Sequence, residues 1–172
     1  MNAGAFGGET WPHVIEAQTI DRKGREHTRQ PQEYQVGYRS VKAPAPDEWF
    51  LAAKLRFERK PGANEAEVRA LLARRKASQP IGEWSCGSVF TNPPGDHAAR
   101  LIEAAGLKGY RLGDASVSDK HANFIINHGG ASAADLEGLI HHVQRSVEAH
   151  FGIRLTPEVH IVGEPASARG EG

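Results

Sequence analysis

The sequence predicts an α+β fold, and three observations carry that expectation. Extended, partly alternating runs dominate the first part of the chain, from Val14 to Ile20 and from Trp49 to Phe57. Beyond Pro61-Gly62, three segments starting near Asn64, Asp96 and Ser132 place apolar residues at helical spacing. Short strand-like runs, Phe124-Ile125-Ile126 above all, fall between those helices. Strands grouped first, then helices mixed with short strands, are the pattern of an α+β chain. The expected boundary lies at Pro61-Gly62, dividing residues 1–60 from residues 61–165, with 166–172 a frayed tail.

In chain order, residues 1–9 are rich in glycine and alanine. Such a segment is a flexible end, or a loop whose backbone amides line an anion or cofactor. Val14 to Ile20 reads as a strand, Asp21 to Gly24 as a turn, and a returning strand completes a hairpin. Pro44 and Pro46 hold the following stretch extended. Trp49 to Phe57 reads as a half-buried strand, with Arg56 and Glu58 on its polar face. Asn64 caps a helix, with Glu67 three residues on. Val68, Leu71 and Leu72 give that helix an apolar face, and Pro80 ends it.

Gly87 to Gly95, reading GSVFTNPPG, is a strand running into a tight turn, and it presents Ser88 beside a bend. Asp96 caps the next helix, in which Leu101, Ile102 and Ala105 share a face and Gly106 makes a left-handed stop. Val117-Ser118 and Ala122 to Asn127 are extended. Ser132 caps the strongest helix, with Leu136, Leu139, Ile140, Val143 and Val147 at helical spacing and Gly152 closing it. Pro157 to Val162 reads as a last short strand.

Composition narrows the function. The 172 residues are 39% apolar, and 21 basic residues balance 21 acidic ones, so there is no electrostatic footprint for nucleic acid or an anionic membrane. One cysteine, Cys86, excludes an internal disulfide and suits a reducing cytoplasm. No apolar run reaches bilayer length, and residues 1–9 lack the pattern of a signal peptide; the expectation is a cytoplasmic chain.

Nine histidines invite a metal, but none stands in a His-Glu-x-x-His or paired-cysteine spacing, so no metal site is expected. No glycine loop ends in Lys-Ser/Thr, and Gly87-Ser88 lacks the second glycine of a hydrolase elbow. The residues alone leave Ser88, Asn92, His121, Arg39 and Glu158 as candidates and the function open.

Taken as a set, the motifs are more specific. Residues 2–9 (NAGAFGGE), 38–40 (YRS), 87–93 (GSVFTNP), 101–109 (LIEAAGLKG), 117–127 (VSDKHANFIIN) and 155–159 (LTPEV) resemble, in order and spacing, the UDP-N-acetylenolpyruvoylglucosamine reductase family of peptidoglycan synthesis. The resemblance implies a remnant of a flavin-binding α+β domain over residues 1–60 and a smaller α+β substrate-binding domain over 61–165. It implies FAD and NADPH as cofactors: the flavin takes a hydride from NADPH and passes it to the enolpyruvyl double bond of the UDP-sugar.

On the same resemblance, Ser88 is the acid that protonates the carbon next to the carboxylate. A hydroxyl is a weak acid, so the enolate it meets must be strongly basic and held within hydrogen-bond reach. Arg39 holds the substrate carboxylate and stabilises the enolate, and Glu158, in its protonated form, assists the same intermediate. Tyr38, Lys76, Asn92 and His121 contact the UDP-sugar, their donors suiting phosphate and sugar oxygens. Asn2, Ala3, Gly4, Ala5 and Gly7 lie in the loop against the flavin. The expected partner is UDP-N-acetylglucosamine enolpyruvate, with no nucleic acid, membrane or protein partner.

Two departures stand out. Phe6 occupies a position where the family usually has tyrosine, so a phenolic hydroxyl is absent. Family members also carry a flavin-binding domain upstream, and the chain is therefore read as their C-terminal part; the alternative reading is a non-catalytic UDP-sugar-binding fragment that needs a separate flavin domain.

Overall fold

The computed structural model describes residues 2–59, 61, 62 and 64–163. The chain divides into two compact units, one up to Leu71 and one from Leu72, so the division falls inside a helix and not at the expected Pro61-Gly62. The expected tail, 166–172, lies outside the described residues. Helices and strands are mixed, as an α+β fold requires.

The first unit is built on an antiparallel sheet of β1 (Val14–Asp21), β2 (Glu26–Arg29) and β5 (Glu48–Leu55), in the order β2-β1-β5. Asp21 makes the β1–β2 turn: its carboxylate accepts from the amides of Lys23 and Arg25 at 2.8 and 3.0 Å, and Gly24 adopts φ 74°. A small separate hairpin, β3 (Gln35–Gly37) and β4 (Ser40–Lys42), turns through Tyr38 and Arg39. Across the sheet, Glu48 accepts from Thr19 at 2.8 Å and is paired with Arg29. That pairing, first, and the Thr19 bond hold its carboxyl below the usual range.

The expected half-buried strand at Trp49 to Phe57 forms as β5 but is not half-buried. Every residue from Trp49 to Leu55 is exposed, including Phe50 and Leu51 at 52% each. Among the described residues, strand β5 ends the three-stranded order and pairs only with β1, and much of its apolar surface is exposed. Between β5, β1 and Val41 lies an apolar cavity of about 350 Å³, lined among others by Trp11, Val14, Phe50 and Leu51.

Helix α1 (Glu65–Ser78) starts as expected, with the Asn64 side chain accepting from the Glu67 amide at 3.1 Å. Its apolar stripe is not a core face: Val68 and Leu72 are 56% and 54% exposed. Three apolar residues among Arg69, Arg74, Arg75 and Lys76 make too narrow a stripe to commit the helix to burial.

The second unit has a true core. Helix α2 (Ala98–Ala104) and helix α3 (Ala133–Phe151) pack together, and α3 also lies on the strands β6 (Arg111–Leu112) and β7 (Ala115–Val117), which continue to β8 (Ile125–Asn127). Strand β6, not anticipated from sequence, pairs with β7 through a hairpin at Gly113. Leu101, Ile102, Leu139 and Val147 are fully buried with Val89, Phe90 and Leu155. Helix α3 matches its reading closely. Ser132 accepts from the Asp135 amide at 3.1 Å, Asp135 reaches back to the Ser132 amide at 2.9 Å, and Gly152 closes the helix at φ 67°.

Two readings need correction here. Asp96 does not cap α2; the helix begins at Ala98, whose amide donates to the Asn92 side chain at 3.1 Å. The carboxylate of Asp96 instead takes the His97 amide at 2.7 Å and pairs with Arg100 one turn on. Residues 157–162 do not form a strand; only Pro157 bridges to Phe90. Proline has no amide to extend a ladder.

Candidate functional site

The segment around Ser88 is held from both sides. On one side Ser88 bridges to Phe124, and the Val89 amide donates to the Asn123 carbonyl at 2.9 Å. On the other, Phe90 bridges to Pro157, and the Glu158 amide donates to the Val89 carbonyl at 2.8 Å. Three stretches distant in sequence thus lie side by side, bringing Ser88, Glu158 and the turn of His121 into one hydrogen-bonded neighbourhood. Val89 and Phe90 are buried at 1% and 2%, while Ser88 and Glu158 are half-buried. The core side of the segment anchors it and leaves Ser88 partly accessible. Gly87, at φ 85°, makes the entry, a conformation that a side chain would strain.

Asn123 is the residue that sequence reasoning missed. It is 4% exposed, and its side chain bonds the backbone of Phe90 twice, accepting from the amide at 3.0 Å and donating to the carbonyl at 2.8 Å. A buried amide inside the apolar run from Ala122 to Ile126 was the available signal, because such a group must find partners. Asn123→Ala would leave both Phe90 groups without that partner in a dry site. The expected cost is about 2 kcal/mol, read as a lower urea midpoint with an unchanged slope.

His121 sits in a turn tightened by the buried Ser118, whose hydroxyl accepts from the amides of Lys120 and His121 at 3.2 and 3.3 Å. The His121 ring packs edge-on against Phe124, with centroids 4.9 Å apart, and its Nδ1 accepts from the Asn123 amide at 3.3 Å. Burial, first, pushes its pKa down, and Lys108 does the same. Lys76 is near the end of α1, and its carbonyl accepts from the Lys120 ammonium at 2.6 Å, tying that turn of helix to the His121 loop. Asn92 uses its side-chain oxygen on the start of α2, so only its amide hydrogens remain to give to a ligand.

The Asp96–Arg100 pair, first, and the His97 amide hold the Asp96 carboxyl down at about 2. A lowered folded-state pKa stabilises above the ordinary carboxylate value and is lost on acidification. Between pH 3.8 and about 2 the wild-type chain should therefore lose stability that Asp96→Asn does not, as followed by thermal unfolding at each pH.

In the first unit the structure joins Asn2, Tyr38 and Arg39. The Arg39 guanidinium donates to the Asn2 carbonyl at 3.3 Å and lies 5.3 Å from the centre of the Tyr38 ring. Arg39 itself adopts φ 54°, which closes the β3–β4 turn. Asn2 is 1% exposed; its side chain donates to Glu9 at 2.7 Å and accepts from the Trp11 amide at 3.0 Å. Residues 2–8 are therefore an ordered loop. Thr10 donates twice to the Ala3 carbonyl, and Gly8 donates to the Ala5 carbonyl. Gly4 is required, because a Cβ there would overlap the Gly8 carbonyl oxygen. None of the expected site residues lines the apolar cavity of this unit. Among the described residues, no group of histidine, cysteine, aspartate or glutamate is arranged to hold a metal.

Comparison with known proteins finds relatives for nearly the whole chain. Residues 79–162 match the family model described as UDP-N-acetylenolpyruvoylglucosamine reductase, C-terminal domain. The chain is 61% identical to the UDP-N-acetylenolpyruvoylglucosamine reductase of Alkalilimnicola ehrlichii over 97% of its own length and 56% of that protein's. It is 56% identical to the reductase of Legionella pneumophila strain Corby over 95% of its length and 54% of the relative's. Among solved structures, it resembles UDP-N-acetylenolpyruvylglucosamine reductase from Thermus caldophilus, with a TM-score of 0.79 and 35% identity over 93% of this chain and 57% of that one. The chain thus spans about half the length of the relatives that it matches.

Proposed function

We propose, from the match of residues 79–162 to the family model of the UDP-N-acetylenolpyruvoylglucosamine reductase C-terminal domain, that the chain supplies the substrate side of this reduction: FAD-dependent, NADPH-driven conversion of the enolpyruvyl group of UDP-N-acetylglucosamine enolpyruvate to UDP-N-acetylmuramate. One observation supports the reading most directly: Ser88 and Glu158, far apart in sequence, stand on adjacent hydrogen-bonded segments.

In this reading the flavin supplies hydride when bound, and the chain's own residues manage charge and protons. The Ser88 hydroxyl gives its proton to the carbon next to the substrate carboxylate. Glu158 assists the enolic oxygen, and Arg39 neutralises the carboxylate with its guanidinium. Lys76, Asn92, His121 and Tyr38 bind the UDP-sugar. The 2–8 loop fits a flat cofactor: glycine is obligatory at Gly4, and among the described residues the amides of Ala5, Phe6 and Gly7 make no hydrogen bond within the chain. Asn2, Ala3, Gly4, Ala5 and Gly7 would lie against the flavin. Site of action is proposed as the cytoplasm; among the described residues no helix is long and apolar enough to cross a membrane.

Calorimetric titration with the enolpyruvyl UDP-sugar tests this. Binding is expected, and absence of binding even with a flavin-binding domain supplied would remove the reading. A second reading is a UDP-sugar-binding module that needs a separate flavin domain. The uncovered apolar surface of β5 favours it; it predicts sugar-nucleotide binding without flavin absorbance.

A further inference from the structure

His121 has a fixed tautomer, and that decides what it can recognise. Its Nδ1 accepts a hydrogen bond from the Asn123 backbone amide. An acceptor nitrogen needs its lone pair, so the ring in this geometry is not an imidazolium, and its one proton resides on Nε2. Among the described residues no hydrogen bond engages Nε2. Phe124 packs edge-on against the ring, and the Ser118 hydroxyl holds the Lys120 and His121 amides that lead into it. Asn123 is itself latched to the Phe90 backbone, so the donor is registered to the segment that carries Ser88.

Resting on the UDP-sugar reading above, we propose that His121 is a specificity residue that offers a neutral Nε2–H to an uncharged oxygen of the ligand, a hydroxyl or a carbonyl, and not a cation to its diphosphate. A phosphate site gains from a charged, bidentate or multiply donating partner, whereas a single neutral N–H suits a sugar hydroxyl or an amide carbonyl. The electrostatic surroundings agree. Burial, first, and the Lys108 ammonium oppose protonation of the ring, against a hydrogen bond to its own backbone and the Glu103 carboxylate, and the balance lowers its pKa. Protonation would also cost the Asn123 contact.

The test uses the full chain with UDP and UDP-N-acetylglucosamine as probes. Long-range nitrogen–proton NMR of the ring at neutral pH is expected to show the Nε2–H form; an Nδ1–H or doubly protonated ring would overturn the proposal. His121→Ala should weaken UDP-N-acetylglucosamine binding about tenfold. His121→Gln, which retains a neutral donor, should restore most of it, and His121→Lys should not. Rescue by lysine, or wild-type affinity that rises relative to His121→Gln between about pH 8 and about pH 6, would mark a cationic phosphate contact and overturn it. If neither probe binds the wild-type chain, the UDP-sugar reading falls and the ligand role with it; correct binding with the wrong tautomer removes this inference alone.

Discussion

With a flavin-binding domain supplied, Ser88→Ala should leave reduction of the flavin by NADPH intact and slow turnover of the enolpyruvyl UDP-sugar by about 10²–10⁴-fold, the range spanned by one positioned proton donor. The two half-reactions separate the possible roles of Ser88. On the proposed function, hydride transfer from NADPH needs no proton from this hydroxyl, whereas saturation of the enolpyruvyl carbon does. The substitution is small, and Ser88 lies on a segment anchored by the buried Val89 and Phe90 and by bonds through backbone atoms, so the strand should keep its place. Stopped-flow absorbance of the flavin measures both steps. Equal loss in the two would make Ser88 a structural residue and not the acid.

Leu139→Ala should destabilise the second unit by about 2–5 kcal/mol. Leu139 is fully buried on α3, in the cluster that includes Leu101, Ile102 and Val143 from both helices. Its removal leaves a cavity lined by rigid neighbours on α2, α3 and the Val89-Phe90 segment. The helical circular dichroism signal should melt about 10 °C or more earlier. Since that core anchors the Ser88 segment, UDP-sugar binding should fall with it at temperatures near the new midpoint. A loss below 1 kcal/mol would mean that the core is looser than its burial indicates.

The sequence-derived helices and the observed ones agree where apolar periodicity and termini reinforce each other. In α3, five apolar residues at helical spacing meet a serine at one end and a glycine at the other, and every one of those features is used. In α1 the termini are right but the face is not: Val68 and Leu72 stay exposed, since a short stripe states a preference and cannot supply something to pack against. Strand β5 is the same lesson in a sheet, where a run of apolar residues makes a face that stays largely exposed among the described residues.

The site divides along similar lines. Ser88 beside a turn, and the family resemblance of the motifs around it, were legible in the residues themselves. Which side chains lock that turn in place was not. The sequence by itself determined the ends of α1 and α3, the turns and the chemical types at the site, because capping, left-handed glycines and hydrogen-bonding capacity are local properties. Tertiary structure alone decided that Asn123 grips Phe90, that Asn92 spends its oxygen on α2, that Glu158 lies beside the Ser88 segment, and that His121 Nδ1 accepts from the Asn123 amide. The Asn123 grip joins residues 33 positions apart and the Glu158 contact residues about twice as far, and a polar group's partner is fixed only when the chain has folded around it.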